Sequence, residues 1–585
     1  MMKSKDLKYL SILLIGILFF GCQDLERLEF SDFPYDGPII TLLTPSASGS
    51  TVIRSTEPTA SITIEFQVED DLGLANITVE IDDSEIANIS DFPNSTLFNV
   101  DDLTYDGLTT GSHTLVITAT DTNGVVVTVT TLFEKADVPP YIPLFDGEIF
   151  YMPFDGNYTE FVSGSDATEV GSPSFAGESK SGSDAYAGAV DSYLTFPTTG
   201  LLGDEFSAAF WYKVNADPNR AGIFVIGPPD VDNPDSQNNR TSGFRLFRED
   251  ASGMQRIKLN VGTGGGDSWF DGGALADIDP SANEWVHIAF SISGSQASVY
   301  IDGEVVREGD FAGVDWTGCD IMSIMSGAPR FTGWGHNYDS SYMDELRLFN
   351  KSISQSDVIG LIAQSSQILK MSFDGNYTEF VSGSDATEVG SPSFAGESKS
   401  GSDAYAGAVD SYLTFPTTGL LGDEFSAAFW YKVNADPNRA GIFVIGPPDV
   451  DNPDSQNNRT SGFRLFREDA SGMQRIKLNV GTGGGDSWFD GGALADIDPS
   501  ANEWVHIAFS ISGSQASVYI DGEVVREGDF AGVDWTGCDI MSIMSGAPRF
   551  TGWGHNYDSS YMDELTLYSK ALSQIEIQAI MAMTD

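Results

Sequence analysis

A stretch of 193 residues occurs twice in this 585-residue chain without a single difference: residues 154–346 return as 373–565, an offset of 219. Whatever fold one copy takes, the other must take too, and a unit of this length has the size of a single domain. Because the copies are identical, they count as one witness to which residues matter. The flanks have diverged and say more. Phe150/Leu369, Met152/Met371 and Leu348/Leu567 stay apolar, while Tyr151/Lys370, Pro153/Ser372 and Arg347/Thr566 change. That alternation has the period of a strand with one buried and one wet face. Ser354-x-x-Asp357 and Ser573-x-x-Glu576 then open short apolar segments, which predicts one small capped helix after each copy.

Inside the repeat, residues 208–214, 285–290 and 297–301 read as short strands, the last closed by a turn at Asp302-Gly303. With 62 Gly and 25 Pro in the chain, the expectation is an all-β unit, a two-sheet sandwich or jelly roll. Residues 38–135 form a separate module. There 61–68 alternates cleanly, and 113–117 and 125–129 flank a turn at Asn123-Gly124. About seven strands in ~100 residues predict an immunoglobulin-like sandwich. Residues 136–146, with Pro139-Pro140, read as a linker. Residues 147–364 read as the first jelly roll and 366–585 as the second.

Lys and Arg number 30 against 85 Asp and Glu, a net charge of −55, and each repeat carries 29 acidic and 10 basic residues, or −19. This excludes nucleic acid, whose binding rests on cations that neutralise phosphate. It suits an extracellular surface, divalent cations and neutral partners. A highly anionic polysaccharide is disfavoured unless Arg240, Arg245 and Arg330 or a bound cation offset the repulsion.

Lys3, Lys5 and Lys8 precede a 12-residue apolar run, 9–20, too short for an ordinary transmembrane helix, which ends at Gly21-Cys22. Residues 1–22 resemble a bacterial lipoprotein signal, with Cys22 becoming the lipidated N-terminus and 23–37 a tether. Gln23-Asp24-Leu25-Glu26 resembles the acidic signal that sends lipoproteins of Bacteroidota to the outer face of the outer membrane. A lipid-anchored, cell-surface location is therefore expected. Cys319 and Cys538, one per repeat in an apolar strand-like run, read as buried thiols.

One ordered set of segments carries a family resemblance. It runs Phe154-Asp155-Gly156-Asn157, Ala208-Ala209-Phe210-Trp211-Tyr212, Glu284-Trp285-Val286-His287-Ile288-Ala289, Val299-Tyr300-Ile301-Asp302-Gly303 and Met343-Asp344-Glu345-Leu346. Both repeats resemble the laminin-G-like, concanavalin A-like jelly roll, so the expected architecture is an Ig-like β-sandwich followed by two identical jelly rolls. Many members of that family bind sugars, some are structural, and related sandwiches are glycosidases or lyases. The resemblance implies a structural Ca²⁺ where the first and last strands meet. Asp155, Asn157 and Asp344 would hold it, and Asp374, Asn376 and Asp563 in the second copy, with the hard oxygen donors this ion takes.

Enzyme signatures are missing. There is no Glu-x-Asp-x-x-Glu strand of a retaining sandwich glycosidase, and His287 lacks the Gln-x-His context of a lyase, so it reads as a packed histidine. No catalysis is expected. Sugar binding instead needs flat apolar surfaces flanked by planar polar groups. Trp211 and Trp285 alternate with strand neighbours and read as core. Trp269 and Trp334 lie among glycines, which lets loops expose the rings, and Trp316 is a third such candidate. Arg240, Arg245, Arg330, His336 and Tyr338 would supply donors and acceptors at a common rim. The second copy repeats the set as Trp488, Trp553, Arg459, Arg464, Arg549, His555 and Tyr557. The expectation is a surface lipoprotein that captures polysaccharide for a neighbouring outer-membrane transporter in a polysaccharide-utilisation system. The alternatives are a Ca²⁺-stabilised adhesin or structural surface protein, or a sandwich glycosidase or lyase.

Overall fold

The computed structural model describes residues 37–45, 51–55, 59–137, 141 and 143–584. Cys22, the signal segment and most of the tether lie outside them. Among the described residues no helix is long and apolar enough to cross a membrane. The chain divides into two compact units between Tyr141 and Ile142.

The first unit is a β-sandwich of eight strands. Ile39–Thr44, Thr59–Glu69 and Leu97–Thr109 form one sheet, and Thr51–Ser55, Val126–Asp137, Gly111–Asp121, Leu74–Ile81 and Ser84–Ile89 form the other. Thr59–Glu69 alternates as its sequence predicts, burying Ile62, Ile64, Phe66 and Val68 against Ile77, Val79, Leu115 and Ile117. The Asn123-Gly124 turn forms as expected, with Gly124 at φ +85. Asp121 accepts the amides of Asn123 and Val125 there.

In the second unit each repeat folds into two antiparallel sheets. The first jelly roll orders one sheet as Ser174–Phe175, Tyr186–Ala187, Tyr342–Phe349, Phe206–Lys213, Val286–Ile292, Gln296–Ile301 and Glu304–Asp310, with Glu148–Met152 also paired to Tyr342–Phe349. The other runs Thr168–Val170, Tyr193–Pro197, Ile321–Ile324, Arg220–Ile226, Phe244–Ala251, Met254–Gly262 and Asp267–Asp271. The core lies between them. Phe206, Ala208, Phe210 and Tyr212 from one sheet meet Phe224, Phe244, Leu246 and Leu259 from the other. Cys319 and Cys538 are buried free thiols, as expected.

Both expected helices form, α1 (Gln355–Gln364) and α2 (Gln574–Met583), and both carry a full capping box. Ser354 and Ser573 cap the first turns through the amides of Asp357 and Glu576, whose carboxylates reach back to the capping amides. Val358 and Leu361 of α1, with Ile353, pack on the outer face of the first sheet over Ala209, Ala289, Tyr300 and Phe349. The two alanines leave the space the helix occupies. In the second copy, Ile577 and Ile580 of α2 cover Ala428, Ala508, Tyr519 and Tyr568, and Ala363 of α1 joins that cluster. Met583 of α2 in turn packs on the first copy's cluster. The two helices therefore meet, and a Cβ at Gly360 would stand 2.6 Å from the Met583 sulfur.

The diverged flanks are not wet, contrary to their reading as an exposed strand face. Tyr151 and Arg347 are buried. The Tyr151 hydroxyl donates to Glu345 at 2.9 Å. The Arg347 guanidinium lies 3.7 Å above the tyrosine ring and pairs with Glu148 at 2.5 Å. In the second copy Lys370 replaces the tyrosine and pairs with Glu564 at 2.9 Å. Tyr151, Arg347, Leu361 and Gln364 line a common pocket with Val381 of the second copy. The repeats thus differ where they face each other.

Candidate functional site

The site is built on the outer face of the second sheet, the face turned away from the core. In Phe244–Ala251, Met254–Gly262 and Asp267–Asp271, alternate residues point inward as Phe244, Leu246, Leu259, Val261 and Phe270. The intervening positions face outward. The strand register sets Arg245, Asn260 and Trp269 in one cross-strand row and Phe247, Lys258 and Asp271 in the next.

Two loops cover part of this face. They are tied together where the amides of Thr332 and Gly333 donate to the Gln237 carbonyl at 2.9 and 2.8 Å. The Arg220 guanidinium donates to the Trp334 carbonyl at 2.9 Å. Phe331 packs on Val225 and Phe247, with Trp334 against it. This brings Trp334 beside Trp269, with ring centres 5.9 Å apart and planes 17° from parallel, an offset stack. The Arg240 guanidinium lies 4.6 Å from the centre of Trp334 and 5.9 Å from that of Trp269. It is held by Asp267 at 2.7 Å and by Asn238 at 3.1 Å. Asp267 also accepts from Asn260 at 2.9 Å. Burial pushes the Asp267 carboxyl up, but the hydrogen bonds from Arg240 and Asn260 outweigh it and hold the group below its usual value. Trp269 remains 40% exposed and Trp488 41%. The second copy repeats the geometry: Trp488 and Trp553 lie 5.9 Å and 17° apart, under Arg459.

The structure thus brings Trp269, Trp334 and Arg240 together, with several differences from expectation. Trp269 lies on the edge strand Asp267–Asp271 and not in a loop. Arg245 and His336 do not face a ligand, nor do Arg464 and His555, because all four are fully buried. Arg245 lies under the loop and donates to the Asn239 carbonyl. His336 stacks on Phe331 at 4.7 Å and meets Phe247 edge-on at 4.9 Å, so it supports the ring beneath Trp334. Burial lowers its pKa despite Glu249 nearby. Arg330 and Arg549 pair with Asp320 and Asp539 at 2.6 Å. Tyr338 and Tyr557 are half-buried, and among the described residues no ring contact joins them to the tryptophans. Trp316 packs on Phe206 and Phe244 at one end of the core, its indole donating to the Gly203 carbonyl at 2.8 Å. Trp211 is buried, but on the outer face of the first sheet under Lys180, and Trp285 is half-buried. Sequence reasoning missed Asp267, Asn260 and Phe331. The alternation of Met254–Gly262 and Asp267–Asp271 was the signal for the first two.

At the seam of the strands, Asp344 is buried and accepts the amides of Lys180 and Ser181 at 2.8 and 3.0 Å. Its other oxygen, Oδ1, is buried without a partner. Asp155 holds the same loop by accepting from Ser183 and Asp184. Burial first, then neighbouring Glu345, pushes the Asp344 carboxyl up to about 8. Asp563 and Asp374 make the corresponding contacts in the second copy, though there the amide of Glu564 fills the second oxygen of Asp563. Asn157 and Asn376 turn instead onto the amides of Thr159 and Thr378, so the structure does not bring them to the seam. Among the described residues no group of three or more His, Cys, Asp or Glu side chains could hold a metal. The orphaned Oδ1 of Asp344 is the one feature of this seam that would suit an oxygen-liganded cation, and Asp563 has no counterpart because the Glu564 amide occupies it.

The Laminin_G_3 family model, described as the concanavalin A-like lectin/glucanases superfamily, matches residues 187–359 and 406–578, more than half of the chain. The chain belongs to this family. A search of curated proteins found no match. Solved structures similar to this chain include domain 4 of the GH43 extracellular arabinanase AbnA from Geobacillus stearothermophilus, in complex with arabinotriose. It has 17% identity and a TM-score of 0.29 over 37% of this chain and 98% of that one. Domains LG4-5 of the mouse laminin α1 chain have 12% identity and a TM-score of 0.21 over 66% and 88%. A putative carbohydrate-binding protein from Bacteroides ovatus has 12% identity and a TM-score of 0.20 over 52% and 81%.

Proposed function

We propose that this chain is a cell-surface polysaccharide-binding lipoprotein, anchored through Cys22, that holds glycan without cleaving it. The observation that carries the reading is the pair of half-exposed indoles, Trp269 with Trp334 and Trp488 with Trp553, each pinned beside an arginine. Such a pair offers an apolar floor for the C–H face of a sugar ring, with Arg240 and Asp267 at its edge for hydroxyls and buried Asn260 holding Asp267 in place. The leader 1–22 and the sequence after Cys22 support delivery to the outer membrane beside a glycan transporter. Asp155 with Asp344, and Asp374 with Asp563, would hold Ca²⁺ that closes the strand ends, a structural role away from the glycan.

Native gels of the soluble chain from Asp24, cast with single polysaccharides, test the reading. Retardation by at least one polymer is expected, and loss of it in the Trp269→Ala, Trp488→Ala double variant. No retardation of a folded sample in any gel would favour the adhesin.

A further inference from the structure

We infer that the glycan taken by the tryptophan pair is uncharged. The inference rests on the binding reading above and narrows its substrate class. The observation is that the cations around the platform are already spent. Arg240 is paired with Asp267 at 2.7 Å. Lys258 stands between Glu249 at 3.1 Å and Asp271 at 3.3 Å. Arg220 shares Glu249, and Arg330 pairs with Asp320. Arg245 has no carboxylate partner among the described residues, but it is fully buried under the loop, out of a ligand's reach. On that same loop Asp230, Asp232 and Asp235 have no ion-pair partner among the described residues, and Asp232 and Asp235 are exposed.

A sulfate or uronate only accepts hydrogen bonds. It could take only the guanidinium N–H groups of Arg240 that Asp267 and Asn238 leave over, and would then lie against the Asp267 carboxylate and the loop aspartates with no proton to offer them. A hydroxyl both donates and accepts. It can donate to Asp267 while accepting one of the guanidinium N–H groups that Asp267 and Asn238 leave over. The intact Arg240–Asp267 pair is therefore matched to neighbouring hydroxyls and mismatched to an anion. The net charge of −55 extends the repulsion to the whole chain.

The test uses the soluble chain from Asp24 in native gels with arabinan, xyloglucan, galactomannan and laminarin, and with dextran sulfate and polygalacturonate. A retained neutral polymer is then lightly sulfated, and separately methylated to the same degree. The methyl ether should keep most of the retardation. The sulfated form should bind at least tenfold more weakly, and part of the loss should return at 1 M salt, where the Debye length is about 3 Å. Asp267→Asn with Asp486→Asn frees both arginines and should raise retention of the sulfated form at least tenfold.

Sulfated polymer held as tightly as its parent would overturn the inference. So would equal loss on methylation, which would assign the effect to bulk, or no gain in the asparagine variant. Retention of the anionic polymers alone would overturn it while leaving the binding reading intact. Retention of no polymer at all would sink both.

Discussion

Trp269 keeps a large apolar ring in water, whereas Trp211 is buried and Trp316 plugs one end of the core. Truncating an anchor of this kind removes roughly 2 kcal/mol or more, about 30-fold in affinity. The Trp269→Ala, Trp488→Ala variant should therefore lose glycan while its melting temperature stays within a few degrees, because the rings are half-exposed. Collapse of the melting curve would instead make them structural. Another residue-scale prediction concerns acid. Burial, helped by Lys180, lowers His287 to about 3, and burial lowers His506 to about 4. The folded state keeps both imidazoles neutral, while the unfolded chain protonates them below about 6.5. Stability is thus undiminished above pH 6.5 and falls as pH drops, by roughly 2 kcal/mol per histidine at pH 5. His287→Gln with His506→Gln should flatten urea-melt midpoints between pH 6.5 and 5. An unchanged slope would refute the assignment. The buried pair Arg248–Asp339, at 2.8 Å with both side chains fully enclosed, is a third case. Asp339→Ala strands a buried guanidinium and should cost about 3–5 kcal/mol in thermal or urea unfolding.

At the scale of elements, α1 and α2 convert each outer sheet face from a wet surface into an interface. Leu361 lies in that seam. Leu361→Ala should cost about 2–3 kcal/mol, read by urea unfolding. Gly360 marks the closest approach of the helices. Alanine there asks only the flexible end of Met583 to move, whereas Gly360→Glu has nowhere to go. It should part the repeats, which would show as a larger hydrodynamic radius and new proteolysis near Ser365. An unchanged radius would mean the contact tolerates a charge. The loop held by Asp155 and Asp344 is the other element with a testable role. If a cation completes it, chelation should lower the melting temperature, and Asp344→Asn should remove that sensitivity. A melting curve indifferent to chelator would end the Ca²⁺ proposal.

For the whole molecule, the question is what two identical sites on one body achieve. The helices pack the repeats against each other, so the sites do not wander independently. If one polymer reaches both, apparent affinity exceeds that of a single site by roughly 10²–10⁴. Trp269→Ala alone should then weaken binding of long polymer at least tenfold but that of a short oligosaccharide only about twofold, measured by calorimetry. Equal small effects on both would show that the sites act separately.

The duplication, the strand periods and the two capping serines were legible without coordinates, because each is a local pattern that burial enforces along one element. The exposure of Trp269 was expected as well, but from glycine-bent loops, whereas it comes from the outward face of an edge strand. The same patterns misplaced Arg245, His336, Tyr151 and Arg347. Alternation tells which face of a strand a side chain takes, but not whether a distant loop or helix later covers that face. The tie between Gln237 and Thr332, the stacking of Trp334 on Trp269 across 65 residues of chain, and the Arg240–Asp267 pair that sets the charge of the site all join segments far apart in sequence. The chain by itself determined two identical jelly rolls with candidate sugar-facing rings. Only the tertiary structure decided which of those rings meet, which charges are spent, and that the repeats join where their sequences part, because covering a surface is a property of packing and not of any one strand.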